Sequence, residues 1–148
     1  MISFHLNRKI DLFFIIITNK YKPNSIIIIT SSMKKIPRYI DALRSEIIYD
    51  VGESAEENFD ILDDAMGEDM WFHVQGFSSC HVIARIDGIE LDKKQLRQVI
   101  TQGCMLCKQY SRYAYMNNLV VIYTRVKNVR KTNIVGRVVT KDVKSRVL

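Results

Sequence analysis

No stretch of this sequence approaches the roughly 20 consecutive apolar residues that a helix needs to cross a bilayer. The apolar runs near its start, Leu12 to Ile17 and Ile26 to Ile29, are short and are split by Asn19, Lys20, Lys22, Pro23 and Asn24. Arg8 and Lys9 precede the first run as in a signal peptide, but no small-residue cleavage site follows. Cysteine is scarce: three residues, an odd number without secreted-scaffold spacing, which points to a reducing, cytoplasmic setting. Repeats and low-complexity linkers are missing after residue 32. The 148 residues, 47% of them hydrophobic, therefore make one domain with enough apolar material for a single core.

Acidic residues are too few to balance the basic ones, and the net charge of +6 favours a polyanionic partner. The imbalance is also segregated. Between Asp41 and Asp69 eleven acidic residues face one basic residue, Arg44, whereas from Leu119 to Leu148 the only acid is Asp142. Such a chain has a dipolar surface whose basic end can find phosphates, or simply two solvated faces. Residues 1–32 differ in composition, rich in the Ile, Asn, Lys, Phe and Tyr that A- and T-rich codons encode. They read as an upstream extension or dispensable arm, with an amino-terminal strand pair as the alternative, ahead of a domain over 33–148.

Within that domain "SEIIYDVG" alternates, with Ile47, Tyr49 and Val51 on one face, and Gly52 ends the strand. In "SAEENFDILDDAM" Ser54 is an N-cap with Glu57 at the capping-box position, and Phe59, Leu62 and Met66 form the apolar stripe of a short acidic helix. "LDKKQLRQVITQGCMLCKQYSRYA" is a longer helix capped by Asp92 and Gln95, its core stripe being Leu96, Val99, Ile100, Gly103, Cys107 and Tyr110. Cys104 and Cys107 lie on that buried side, so the lone CxxC predicts core thiols. Asn117 and Asn118 turn the chain into "LVVIYTRV", and "KTNIVGRVVTKDVKSRVL" supplies one or two more strands around Gly136. The order of elements implies an α+β fold, a largely antiparallel sheet with the long helix and the short acidic helix packed on it.

"DMWFHVQGFSSCHVIARI" concentrates the polar chemistry as two strands joined by "QGFSS". Pairing His73 opposite His81 puts Asp69, Trp71, His73, Ser79, His81 and Arg85 on one face. Phe72, Val74, Val82, Ala84 and Ile86 then form the core face, which predicts that the odd-numbered face is open to solvent. A metal site from Asp69, His73 and His81 suffers from the roughly 13 Å between Asp69 and His73 along the strand. Nucleophilic attack by Ser79 lacks an identifiable orienting acid and oxyanion hole. A binding surface asks less: rings stack on bases while Ser, Arg and His bond phosphate or sugar. Trp71 is equally suited to anchoring the core.

The pattern Asp69-x-Trp71-Phe72-His73-Val74 followed by Ser79-x-His81-Val82 closely resembles the signature of the NFACT-R domain family. Gly52, Glu57, Asn58 and Leu62 resemble that family's strand end and Glu-Asn segment. Tyr123, Val129, Arg130, Lys131 and Gly136 resemble its later strand, basic turn and glycine, so the likeness spans residues 36–148. It is greatest to stand-alone, single-domain members. The resemblance implies a non-enzymatic nucleic-acid-binding module for structured RNA such as tRNA or rRNA, linked to translation or ribosome-associated quality control. DNA is the alternative ligand, because a relative of that kind is linked to DNA binding. The matched segment does not include the other domains of the large members, so adding residues to stalled nascent chains is not carried over. Trp71, His73, Ser79 and His81 would then make the close contacts, while Arg125, Lys127, Arg130, Lys131, Lys141 and Lys144 neutralise phosphates, with no metal or cofactor. Two other functions compete: a phosphodiester-processing or metal-dependent enzyme using Asp69, His73 and His81, and an adaptor whose acidic 41–69 segment meets a basic protein. If both imidazoles are exposed, phosphate affinity should rise as pH falls through 8 to 5.

Overall fold

Alternating branched and polar residues put much of the chain into strands. A computed structural model describes residues 33–148; the expectation for residues 1–32 lies outside these. Lys34–Ile40 (β1) and Ser45–Gly52 (β2) pair antiparallel across a tight turn in which Arg44 has φ 53°. Ile47, Tyr49 and Val51 point into the core, as their alternation requires. At the end of β2 the backbone nearly touches the next helix: a Cβ on Gly52 would lie 2.6 Å from Asn58 Oδ1. Glycine is needed there for the close approach.

Ser54 caps α1 (Ala55–Asp63), its hydroxyl accepting from Glu57 N at 3.1 Å. Glu57 does not complete a capping box, because its carboxylate accepts from Glu53 N instead. The buried stripe is Asn58, Ile61 and Leu62. The expected stripe of Phe59, Leu62 and Met66 is thus corrected: Phe59 is half-buried under the Lys131 ammonium, and Met66 lies beyond the helix end and is exposed.

Met70–Val74 (β3) and His81–Ala84 (β4) form the expected hairpin, with Trp71 opposite Ile83 and Phe72 opposite Val82. That register, continued by one step, sets His73 against His81. Lys93–Tyr110 (α2) follows, with the full Asp92–Gln95 capping box. It ends earlier than its sequence pattern, because the Ser111 hydroxyl donates to Lys108 O and accepts from Tyr113 N. Asn118, at φ 58°, then turns the chain into Val120–Arg125 (β5).

A short 3₁₀ turn at Val126–Asn128 leads to Val129–Lys131 (β6), Val138–Thr140 (β7) and Lys144–Val147 (β8). The main sheet runs β1-β2-β4-β3-β5-β8, and every neighbouring pair in it is antiparallel. β6 and β7 form a separate hairpin. The domain is α+β, as the element order implies.

α2 covers one face of the sheet, where Tyr49, Val51, Phe72, Val74, Val82 and Ala84 meet Val99, Cys104, Leu106 and Cys107. Phe72 sits on Gly103 so closely that a Cβ there would fall 2.2 Å from its ring. All three cysteines are free and buried, with the Cys80 thiol donating to Cys107 O at 3.4 Å. Burial pushes the Cys104 thiol up to about 12. Cys107 is also raised, by hydrogen bonding with Cys80 and by burial. The core-thiol expectation holds.

The opposite face is covered as well. Ile61, Leu62, Trp71, Ile83 and Val126 form a second buried cluster, flanked by Val129 and Val138 of the β6–β7 hairpin. This overturns the expectation of an open odd-numbered face. Trp71 and His81 are each 1% exposed and Asp69 is 2% exposed. The physical reason is α1 and the β6–β7 hairpin, which fold over this half of the sheet and exclude water from side chains that alternation alone assigns to solvent. Burying an indole here contributes roughly 4–6 kcal/mol, from about 150–250 Å² at ~25 cal/mol/Å².

Candidate nucleic-acid interface

Each polar member of the central hairpin has a definite task. Asp69 immediately precedes β3, and its carboxylate accepts from the N–H groups of Met66 (2.9 Å), Ile86 and Asp87 (both 2.8 Å) and from Arg85 Nη1 (3.3 Å). Arg85 also bonds the buried Asp50 (2.6 Å) and the exposed Asp64 (2.6 Å). Asp69 is therefore a joint between two turns. Its oxygens are engaged at the far end of β3 from His73, so the metal set of Asp69, His73 and His81 does not assemble.

Ser79 is equally committed. Its hydroxyl accepts from Val74 N at 3.2 Å and donates to Cys80 O at 3.2 Å, which closes the β3–β4 loop. The oxygen is not hydrogen-bonded to either imidazole, so there is no serine–histidine couple. Asn58 of α1 fastens the same loop, accepting from His81 N at 2.9 Å and donating to Ser79 O at 3.4 Å.

Three rings remain. Trp71 and His73 stand parallel, 5.6 Å between centroids, and His81 meets both edge-on at 5.2 and 5.1 Å. Burial lowers His73 to about 4. Burial, with a smaller contribution from His73, lowers His81 to about 3. Both rings are thus neutral at ordinary pH, which corrects the expectation that they titrate between pH 5 and 8 and strengthen phosphate binding on acidification. Trp71 Nε1 and His81 Nδ1 are buried with no hydrogen-bond partner among the described residues.

Trp71, His73, Ser79 and His81 all line one open cleft of about 840 Å³. The β3–β4 loop forms one wall, the start of α1 another, and the β6–β7 hairpin a third. Gly136, at φ +80°, lets the tip of that hairpin press on α1, since a Cβ there would lie 2.7 Å from Ala55 Cβ. Arg112 and Arg137 stand in the lining, and Phe77 lies in it, 4.3 Å from the Tyr113 ring. Arg112 and Arg137 are not among the contacts expected from sequence. Arg137 follows a turn glycine within the basic tail, a usable signal. Arg112 was hidden because the helical pattern runs past the true end of α2.

None of Arg125, Lys127, Arg130, Lys131, Lys141 and Lys144 lines this cleft. Arg125 and Lys127 are held by Glu68, and Lys131 by Asp63 at 2.5 Å. These three expected phosphate contacts thus carry partners from the acidic segment. Arg130, Lys141 and Lys144 have no ion pair among the described residues and are exposed. Part of the acidic segment is engaged in return, with Glu53 on Lys34, Asp64 on Arg85 and Glu68 on Lys127.

Residues 37–142 match the family model described as the NFACT protein RNA binding domain. Over 83 residues the chain is 35% identical to coiled-coil domain-containing protein 25 of Mus musculus, covering 55% of this chain and 40% of that protein. Over 95 residues it is 32% identical to the homolog of that protein in Dictyostelium discoideum, covering 64% and 46%. The chain thus spans less than half the length of these curated relatives. Among solved structures it shares its fold with the C-terminal part of the fibronectin/fibrinogen-binding protein from Streptococcus suis. That match has a TM-score of 0.68 at 19% identity and covers 88% of this chain and 50% of that one.

Proposed function

The chain belongs to the family of the NFACT protein RNA binding domain, and from that membership and the cleft's geometry we propose that it is a non-enzymatic module binding structured RNA such as tRNA or rRNA. The carrying observation is the convergence of Trp71, His73, Ser79 and His81 on one cleft that also holds Arg112 and Arg137. Arg130, Lys141 and Lys144 extend the positive surface beyond it. Service in translation or ribosome-associated quality control, in the cytoplasm, fits this reading, and three free buried thiols suit a reducing compartment.

Catalysis is disfavoured by the chemistry of the rings. A general acid or base works best with a pKa near the operating pH, and both imidazoles are driven well below it. Ser79 has spent its proton on a backbone carbonyl. The adaptor alternative loses ground because Glu53, Asp63, Asp64 and Glu68 of the acidic segment are paired with the chain's own cations.

The test is a filter-binding series of the purified chain against tRNA and single-stranded DNA from low to high salt. Engagement of four to six phosphates makes affinity fall about as the third to fifth power of salt concentration. Salt-insensitive binding, or none at micromolar protein, refutes the proposal. Tighter binding to DNA moves the assignment to that polymer.

A further inference from the structure

The cleft floor has a chemistry that phosphate recognition leaves unused. An indole N–H can only donate, and a neutral imidazole offers one donor and one acceptor. Trp71 Nε1 and His81 Nδ1 are such groups, both buried and neither bonded to any described residue. Leaving a buried donor or acceptor unpaired is unfavourable, so a ligand that pairs with it is favoured. Both side chains line the cleft.

Three further observations narrow the ligand. The floor is uncharged, so it offers nothing to offset the desolvation of a buried phosphate, whereas the carbonyl and amine edge of a nucleobase suits neutral donors and acceptors. The surroundings are flat and aromatic: Trp71 and His73 are parallel, and Phe77, 40% exposed, is backed by Tyr113. Base–aromatic stacking of this kind is sequence-tolerant. Finally, the cations of the lining, Arg112 after α2 and Arg137 after the hairpin turn, come from elements other than the strands that carry the three rings. A volume of about 840 Å³ is typical of sites for a single small ligand. It is too small for a paired helix.

We propose that the cleft receives one unpaired nucleobase of the bound RNA, its polar edge on Trp71 and His81, with the adjoining phosphate held by Arg112 and Arg137. This rests on the reading that the chain binds RNA, and it adds that the contact is with a base extruded from its helix. Both floor atoms are shielded from water, so His73, the most exposed of the three rings, gives way as the base enters.

The experiment uses one RNA stem carrying a single bulged nucleotide, with each of the four bases in turn, an abasic residue at the same place, and the fully paired stem. Trp71 is the only tryptophan in the chain, so its fluorescence reports occupancy directly while filter binding gives affinity. At least one bulged base should change the Trp71 emission saturably and bind about two- to a hundredfold tighter than the abasic RNA, the worth of one or two hydrogen bonds. Trp71→Phe keeps a buried ring but removes the N–H, and it should lower that ratio to what His81 alone supplies. Arg137→Ala, at an exposed position and so able to fold if the first variant does not, should weaken intact and abasic RNA alike. Equal affinity for all four bases and the abasic residue, with salt-sensitive tRNA binding retained, overturns base capture and leaves RNA binding standing. Loss of all RNA binding removes both. A free nucleoside 5′-monophosphate that outcompetes the bulged RNA also overturns it, in favour of a mononucleotide ligand.

Discussion

Replacing Asp69 tests whether the acid of the Asp-x-Trp-Phe-His pattern is a fold residue or a site residue. In Asp69→Ala, the N–H groups of Met66, Ile86 and Asp87 each lose an acceptor at 2.8–2.9 Å, and Arg85 loses one of its three carboxylates. Asp69 is 2% exposed, so water replaces little of this. Breaking a buried ionic joint costs about 3–5 kcal/mol, a large share of the roughly 5–15 kcal/mol of a typical domain. Asp69→Asn is milder. One side-chain oxygen still serves Ile86 and Asp87, while the new amide confronts Met66 N–H and Arg85, donor against donor. Its cost should be about 1–3 kcal/mol. Urea unfolding followed by Trp71 emission measures both, and with a slope of about 1.5 kcal/mol/M the alanine variant's midpoint drops by about 2–3 M. RNA affinity of the folded asparagine variant should stay within twofold of the parent. A fully stable Asp69→Asn chain that no longer binds RNA would refute the structural assignment.

Gly103→Ala gains up to about 1 kcal/mol of helix propensity but drives a methyl into the Phe72 ring, so a net loss of about 1–3 kcal/mol is expected by calorimetry. For the imidazoles, unfolded histidines take up protons near pH 6.5, whereas in the fold His73 and His81 wait until about 4 and 3. The unfolded state therefore binds more protons in between. Stability is complete above about pH 6.5 and declines as pH falls towards 4 and 3, by up to about 1.4 kcal/mol per unit for each ring. Urea midpoints from pH 7.5 to 4.5 should fall less steeply in His81→Asn, and RNA affinity should be flat between pH 8 and 6. Gly136→Ala forces a left-handed residue and a contact with Ala55, so it should loosen the hairpin wall and weaken RNA binding several-fold with only a small change in melting temperature.

The sharing of one core face was readable because a one-residue slip would move Phe72 and Val74 to the opposite side of the sheet from Val82 and Ala84. Caps were readable too, since Asp92 and Gln95, or Ser54, act within one helical turn. Which face met water was not. Alternation averages polarity over a face, and Asp69, His73, His81 and Arg85 made that face look wet. Its cover comes from α1 and from a hairpin more than fifty residues downstream of β3, whose strands of three residues carry almost no periodic signal. Asp69 and Asp50 share a partner, Arg85, which local pattern cannot assign. The four close-contact residues did converge on one cleft. The ion pairs of Arg125, Lys127 and Lys131 with Glu68 and Asp63 could not be read locally, because pairing between the acidic and basic segments is a tertiary event.

The thiols at the seam between α2 and the loop before β4 give the molecule an internal gauge. Cys104 and Cys107 stay protonated at neutral pH and, with Cys80, are shut away from reagents, so alkylation can proceed only when that seam parts. The rate of labelling, residue by residue, thus counts how often the helix lifts from the sheet. Because Cys80 adjoins the loop that borders the cleft, a ligand that clamps this loop should slow its modification first.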